Sequence, residues 1–190
     1  YLDINKVTEL RECSSAKALL ASSSFQNEIE SLRNSPIVDY QRQMALKRKA
    51  LEELSRGFFV KESQRLEDLQ HFIEANPLVE DYARFRATGE KQGVAWRSWS
   101  PSARQGILKE GDYDAANKRY HLYVQWLAHQ QMENLATKAR EKGLQLYLDL
   151  PLGVHPDGYD VWREGGAFLL DTAAGAPPDT VFTKGQNWAF

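Results

Sequence analysis

The stretch Leu144–Phe190, LQLYLDLPLGVHPDGYDVWREGGAFLLDTAAGAPPDTVFTKGQNWAF, decides how this chain is read. Gly143 is placed to end a helical pattern, and the apolar run Leu144–Leu148 then reads as a short buried strand. Asp149 stands at its end, and Leu150-Pro151-Leu152-Gly153 turn the chain at once. Beyond the turn, His155, Asp157, Tyr159, Asp160, Trp162, Asp179, Phe182, Gln186 and Trp188 crowd the loops. Helix, glycine, apolar strand and polar loop are the grammar of an α/β fold, whose functional groups gather at the carboxyl ends of strands. Carboxylates and amides reach hydroxyls, and aromatic rings take the C–H face of a sugar, so the segment suits a hydroxyl-rich ligand.

Upstream, residues 1–142 read as mostly helical. Ser24 is placed to cap a helix running through Asn34, with Phe25, Ile29 and Leu32 on one face. Ser35-Pro36 breaks it. A longer pattern from about Val38 to Asn76 carries Met44, Leu51, Leu54 and Phe58, then Leu66, Leu69, Phe72 and Ile73, with Gly57 as a point of interruption. Pro77–Ala87 predicts a short helix with Tyr82 and Phe85 inward, and Thr88–Gly93 predicts a polar loop. Trp96 and Trp99, three apart, are expected in the core. From about Tyr113 to Lys142 runs one strong helix with Tyr120, Tyr123, Val124, Leu127 and Leu135 on its apolar side.

Length and composition exclude several classes. At 190 residues the chain suits one domain, or one with an elaborated insertion. Mean hydropathy is -0.57, and no run approaches the roughly eighteen apolar residues of a membrane span. The first residues lack the basic and apolar regions of a secretory signal. Cys13 is the single cysteine, so no internal disulfide is expected and a reducing cytoplasm fits. Net charge is -2, but residues 143–190 carry six acidic and two basic side chains. No basic stripe faces a phosphate backbone, which argues against nucleic acid.

Single residues leave alternatives open. Asp149 reads equally as a strand-end cap for backbone amides or as a ligand-facing carboxylate. Pro156-Asp157-Gly158 is a turn signal, and Trp162 reads as packing or as a sugar platform. His121 and His129 lie on one helix without a third ligand nearby and read as helix-surface histidines, so no metal site is expected. Glycine-rich phosphate loops and a Gly-x-Ser-x-Gly elbow are absent.

The residues Leu148-Asp149-Leu150-Pro151-Leu152-Gly153-Val154-His155-Pro156-Asp157-Gly158-Tyr159-Asp160-Val161-Trp162-Arg163, with Gly175-Ala176-Pro177-Pro178-Asp179 and Gly185-Gln186-Asn187-Trp188, closely resemble the 4-α-glucanotransferases, the amylomaltases or disproportionating enzymes. The helical part is similar more loosely, through Tyr1-Leu2-Asp3, Val38-Asp39-Tyr40, Leu46-Lys47-Arg48, Trp96-x-x-Trp99, and Gln125-Trp126-Leu127 with Gln130.

The resemblance implies an α/β chain: part of a (β/α)8 TIM-type barrel with a large, mostly helical insertion, the 190 residues themselves predominantly helical. Residues 1–142 would be the helical region and 143–190 a barrel strand with donor-site loops. It implies a cytoplasmic enzyme that cleaves an α-1,4-glucan and passes it to the 4-hydroxyl of another sugar by retaining double displacement. Maltodextrin and a glucose or maltose acceptor are the implied partners, with no cofactor, nucleic acid or membrane. Asp149 matches the strand-end aspartate of the donor subsites. Asp179, Gln186 and Trp188 match the lid over the cleavage point, and His155, Asp160 and Trp162 match a segment supporting the barrel mouth.

One departure is large. The family nucleophile lies in an Arg-x-Asp-His motif beyond the lid, with a glutamate acid/base later, and no Arg-x-Asp-His occurs here. Ala189 stands where many relatives have glycine. The expectation is therefore a fragment without a catalytic residue, lacking an N-terminal part and the catalytic C-terminal half and inactive by itself. A non-catalytic maltodextrin-binding relative and a helical interaction module are the alternatives.

Overall fold

The computed structural model describes residues 2–60, 62–149, 153–172 and 174–188. Tyr1, the turn residues Leu150-Pro151-Leu152, and Ala189 lie outside them. Eight helices are described: α1 (Ser14–Ala21), α2 (Ser23–Arg33), α3 (Tyr40–Phe58), α4 (Gln64–Ala75), α5 (Pro77–Gln92), α6 (Pro101–Arg104), α7 (Ala115–Glu141) and α8 (Tyr159–Arg163). Two short antiparallel strands, β1 (Gly175–Ala176) and β2 (Gln186–Asn187), form a hairpin. The chain groups into two units, Tyr1–Ala83 with Ala116–Gln145, and Arg84–Ala115 with Leu146–Phe190. Residues 84–115 thus belong with the tail rather than with the helices that precede them.

Local chemistry explains several helix ends. Ser22, not Ser24, caps α2, its hydroxyl accepting from the Phe25 amide at 3.3 Å. Asp39 caps α3 through the Arg42 amide at 2.9 Å. Proline opens α5 and α6, where its missing N–H costs nothing. Gly143, at φ +69°, closes α7 as expected, with the Leu144 amide returning to the Ala139 carbonyl at 2.8 Å.

In the first unit, Leu51, Leu54 and Phe58 of α3 meet Leu69 of α4 and Tyr120, Tyr123, Trp126 and Leu127 of α7. Phe58 is the hub, with ring centroids 5.0 Å from Tyr123 and 5.4 Å from Trp126. A polar brace crosses this core. Glu9 takes the Tyr123 hydroxyl at 2.9 Å and an ion pair from Arg65, which lies 4.4 Å over the Trp126 ring. Burial first, and then Glu9, raises the Tyr123 pKa far above its ordinary range. Phe25, Leu46 and Ala50 form a second cluster between α2 and α3.

The second unit has an aromatic core. Phe85 of α5 lies 5.3 Å from Trp99 and 5.0 Å from Trp162 of α8, with Ala103 buried among them.

Other expectations are corrected as well. Thr88–Gly93 is not a loop: α5 continues to Gln92, because Thr88 is fully buried and Gly89 leaves room for the Trp99 ring. Met44 and Leu135 are half exposed, off the buried stripes of their helices. His121 is buried rather than on the helix surface, against the Tyr120 ring at 5.1 Å. Leu144–Leu148 carries no strand, and Leu144, Leu146, Tyr147 and Leu148 are exposed. A strand buried on both faces needs neighbours for its backbone and side chains, and among the described residues none pairs with it.

Candidate functional site

All seven sequence candidates fall in the second unit, and three share one small structure. Gln186 pairs with Ala176 and Asn187 with Gly175 across the hairpin. Gly185 turns the chain into β2 at φ +73°, in a place where a Cβ would sit 2.7 Å from the Ala176 carbonyl oxygen. Gln186 and Trp188, two apart, share a face, and the indole N–H of Trp188 donates to Gln186 Oε1 at 3.1 Å. The Trp188 amide donates to the Ala174 carbonyl at 2.9 Å, tying the far end of the hairpin. Trp188 is 44% exposed and Gln186 is half-buried beside it, so part of a flat apolar face reaches solvent with an amide at its edge.

Asp179 shapes the connecting loop. One carboxylate oxygen accepts from the Val181 amide at 2.8 Å and the Phe182 amide at 2.5 Å, while its own amide donates to the Phe182 carbonyl at 3.2 Å. This turn holds Val181 and Phe182 exposed. The carboxylate engages its own loop through Oδ1 and leaves Oδ2 with no partner among the described residues.

The other candidates divide. Trp162 is 4% exposed, and its indole N–H donates to the Ala103 carbonyl at 2.8 Å. An indole so enclosed offers no face to a ligand; Trp162 supports the loop from beneath. Asp160 is exposed in the first turn of α8, where a carboxylate suits the helix dipole. His155 is exposed, and its Nδ1 accepts from the Asp157 amide at 3.0 Å. Asp149 is exposed and makes no hydrogen bond among the described residues. The structure gathers Asp179, Gln186 and Trp188 on the hairpin and His155, Asp160 and Trp162 on the turn and helix α8, and among the described residues no bond links these sets to Asp149.

Sequence reasoning missed one pair. Trp96 and Arg97 reach the turn after Asp149: the Trp96 indole donates to the Pro156 carbonyl at 3.2 Å, and Arg97 pairs with Asp157. Trp96 read as core, and an isolated arginine and aspartate sixty positions apart give no local signal.

A cleft of about 630 Å3 lies elsewhere, in the first unit, floored by Leu66, Ile73 and Leu122 and rimmed by the Glu80–Lys118 ion pair at 2.5 Å. It contains none of the candidates. Among the described residues no three His, Cys, Asp or Glu side chains cluster as a metal site.

Comparison with known proteins decides the family. The profile of the 4-alpha-glucanotransferase family matches residues 1–190. The chain belongs to that family. A 4-alpha-glucanotransferase of Haemophilus influenzae is 28% identical over 99% of this chain and 30% of its own length. One from Thermus thermophilus is 34% identical over 80% of this chain and 33% of its own. Among solved structures, the amylomaltase of Streptococcus agalactiae in complex with acarbose superposes with a TM-score of 0.69 at 26% identity, over 91% of this chain and 38% of that one. The chain therefore spans about a third of the length of these family members.

Proposed function

We propose that this chain is part of a 4-α-glucanotransferase, in which residues 143–190 build the donor side of the glucan site and residues 1–142 form a mainly helical region. The protein cleaves an α-1,4-glucan and passes the cleaved glucan to the 4-hydroxyl of a glucose or maltose acceptor. Family membership along the whole chain is the observation that carries this reading. The partly exposed Gln186–Trp188 pair, next to the Asp179 turn, supports it in detail: an indole suits the C–H face of a glucose ring and a glutamine amide suits its hydroxyls.

In the whole protein, Leu144–Leu148 becomes one strand of a (β/α)8 barrel, which accounts for an apolar run that lies exposed and unpaired here. Asp149 then emerges at the barrel mouth, facing the hairpin that covers the bound glucan. Chemistry is retaining: a nucleophilic carboxylate attacks the anomeric carbon, and a second carboxyl acts as acid and then base. Neither comes from residues 1–190, which lack Arg-x-Asp-His. Asp149, His155, Asp179, Gln186 and Trp188 bind and orient the sugar; Asp160 and Trp162 support the rim that carries His155. A cytoplasmic setting is part of this reading; none of the described helices is long and apolar enough to cross a membrane.

The test is disproportionation of maltotriose by the whole gene product, followed by chromatography of the products. Glucose with maltopentaose and longer chains is the expected result. Binding of maltoheptaose without transfer marks a non-catalytic relative, and absence of both overturns the reading.

A further inference from the structure

We infer that Trp96 and Arg97 are positioning residues for the glucan site, holding the turn His155–Gly158 so that His155 meets the sugar in one orientation. This rests on the proposed reading that the loop after Asp149 faces the glucan. Two contacts reach the turn from a segment sixty residues away, and a third, within that segment, braces them. The Trp96 indole donates to the Pro156 carbonyl at 3.2 Å, Arg97 pairs with the Asp157 carboxylate, and the Arg97 guanidinium lies 4.7 Å over the Trp96 ring. Stacking on the indole orients the guanidinium before it meets the carboxylate, so less freedom is lost in making the pair.

The hook bears directly on His155. Asp157 is held through its side chain by Arg97, and its amide donates to His155 Nδ1 at 3.0 Å. The Gly158 amide donates to the His155 carbonyl at 2.7 Å, where a Cβ on residue 158 would come within 2.9 Å of that oxygen. With Nδ1 accepting, the neutral imidazole carries its proton on Nε2, as a donor suited to a sugar hydroxyl. His155 is exposed and makes no other hydrogen bond among the described residues.

Stability does not explain this arrangement. The Arg97 and Asp157 side chains are 39% and 41% exposed, and ion pairs so open to solvent contribute little to folding. What two weak contacts on one turn, braced by the Arg97–Trp96 stack, do achieve is a fixed loop geometry, and ligand orientation depends on that.

The experiment is steady-state maltotriose transfer by the whole gene product and its variants, with melting temperature measured alongside. Arg97→Met keeps the aliphatic stem over Trp96 and removes the pair. It is expected to raise KM about tenfold, the order of one misplaced hydrogen bond, with kcat within about twofold and melting nearly unchanged. His155→Ala is expected to raise KM similarly, and the double variant to be no worse than His155→Ala alone. Arg97→Asp and Asp157→Arg should each raise KM, and together restore it. An active wild type whose KM is unmoved by Arg97→Met, or moved only together with melting and not rescued by the charge swap, overturns the inference and leaves the function standing. A wild type that neither transfers nor binds maltodextrin overturns both.

Discussion

The phenolic hydroxyl of Tyr123, on α7, donates to a Glu9 carboxylate oxygen at 2.9 Å across 114 residues of sequence. Tyr123 is fully buried, and Glu9 also pairs with Arg65 of α4, so one small network joins the start of the chain to two helices. Tyr123→Phe keeps the ring against Phe58 and removes the donor to a charged acceptor. It is expected to cost about 1.5 kcal/mol in urea unfolding at neutral pH.

The same bond sets an alkaline limit. Burial and Glu9 raise the folded pKa of Tyr123, whereas the unfolded tyrosine titrates near about 10. The raised folded value means that the unfolded state loses its proton first. The stabilisation is whole below pH about 10 and declines as pH rises above it, toward the folded pKa. Urea unfolding between neutral pH and about pH 11 should show a decline that Tyr123→Phe makes shallower; equal slopes in both proteins count against the network.

Trp162 anchors the second unit. Its ring lies within 5.0 Å of Phe85 and 5.8 Å of Tyr159, and its N–H satisfies the Ala103 carbonyl. Trp162→Phe removes that bond while the Gly106 amide still reaches the Ala103 carbonyl at 3.2 Å, so it is expected to cost about 1 kcal/mol; Trp162→Ala adds a cavity and costs about 3–5 kcal/mol in all. Near-ultraviolet circular dichroism during urea unfolding checks both, and a cost under about 0.5 kcal/mol for the alanine variant contradicts the burial.

Punctuation written in single residues was legible from sequence: Ser35-Pro36, Pro77 and Gly143 act where their own backbone chemistry says they should. What depended on distant partners was not. Thr88 and Gly89 have loop-like propensities, yet Trp99 packs on that side of α5 and the helix continues. Leu144–Leu148 has a strand's composition, but a strand exists through its neighbours, which a local reading cannot supply. The hairpin candidates were recognisable as residue types, while the bond from Trp188 to Gln186 follows from a register that sequence does not state. For Asp179 a local signal was available. An aspartate after two prolines, two and three residues before the amides it takes, is an Asx-type turn, and that reading predicts a loop-shaping role.

Asp179→Ala is accordingly expected to loosen the loop before it affects anything else. Both Val181 and Phe182 amides lose their acceptor, and amide exchange at these two positions should accelerate at least about tenfold. Global melting should stay within about 2 °C, because the hairpin adds little to either core. Maltoheptaose affinity of the whole gene product should fall about tenfold or more, through loss of order and of the carboxylate together. Asp179→Asn separates the two effects: its amide oxygen can still take the loop amides, so exchange stays slow while any contribution of the charge to binding is lost. Unchanged exchange in the alanine variant contradicts the turn.

Gly185→Ala tests the hairpin from its other corner. The left-handed φ of +73° costs an alanine about 1 kcal/mol, and the new Cβ meets the Ala176 carbonyl oxygen at 2.7 Å. That oxygen is backbone inside the β1–β2 pair, so it cannot rotate away as a side chain would. Relief requires opening the pairing of Ala176 with Gln186, which carries Trp188 away from the Ala174 carbonyl. Exchange of the Trp188 amide should speed up by about tenfold, and indole fluorescence should shift red as the ring gains water. A D-alanine at 185, introduced by ligation, favours positive φ and presents its Cβ on the opposite side. It should keep the Trp188 amide protected, which separates backbone strain from mere bulk at this turn. Equal protection in the L-alanine variant and the wild type means that Gly185 does not hold the hairpin, and the Gln186–Trp188 face then owes its geometry to something other than this turn.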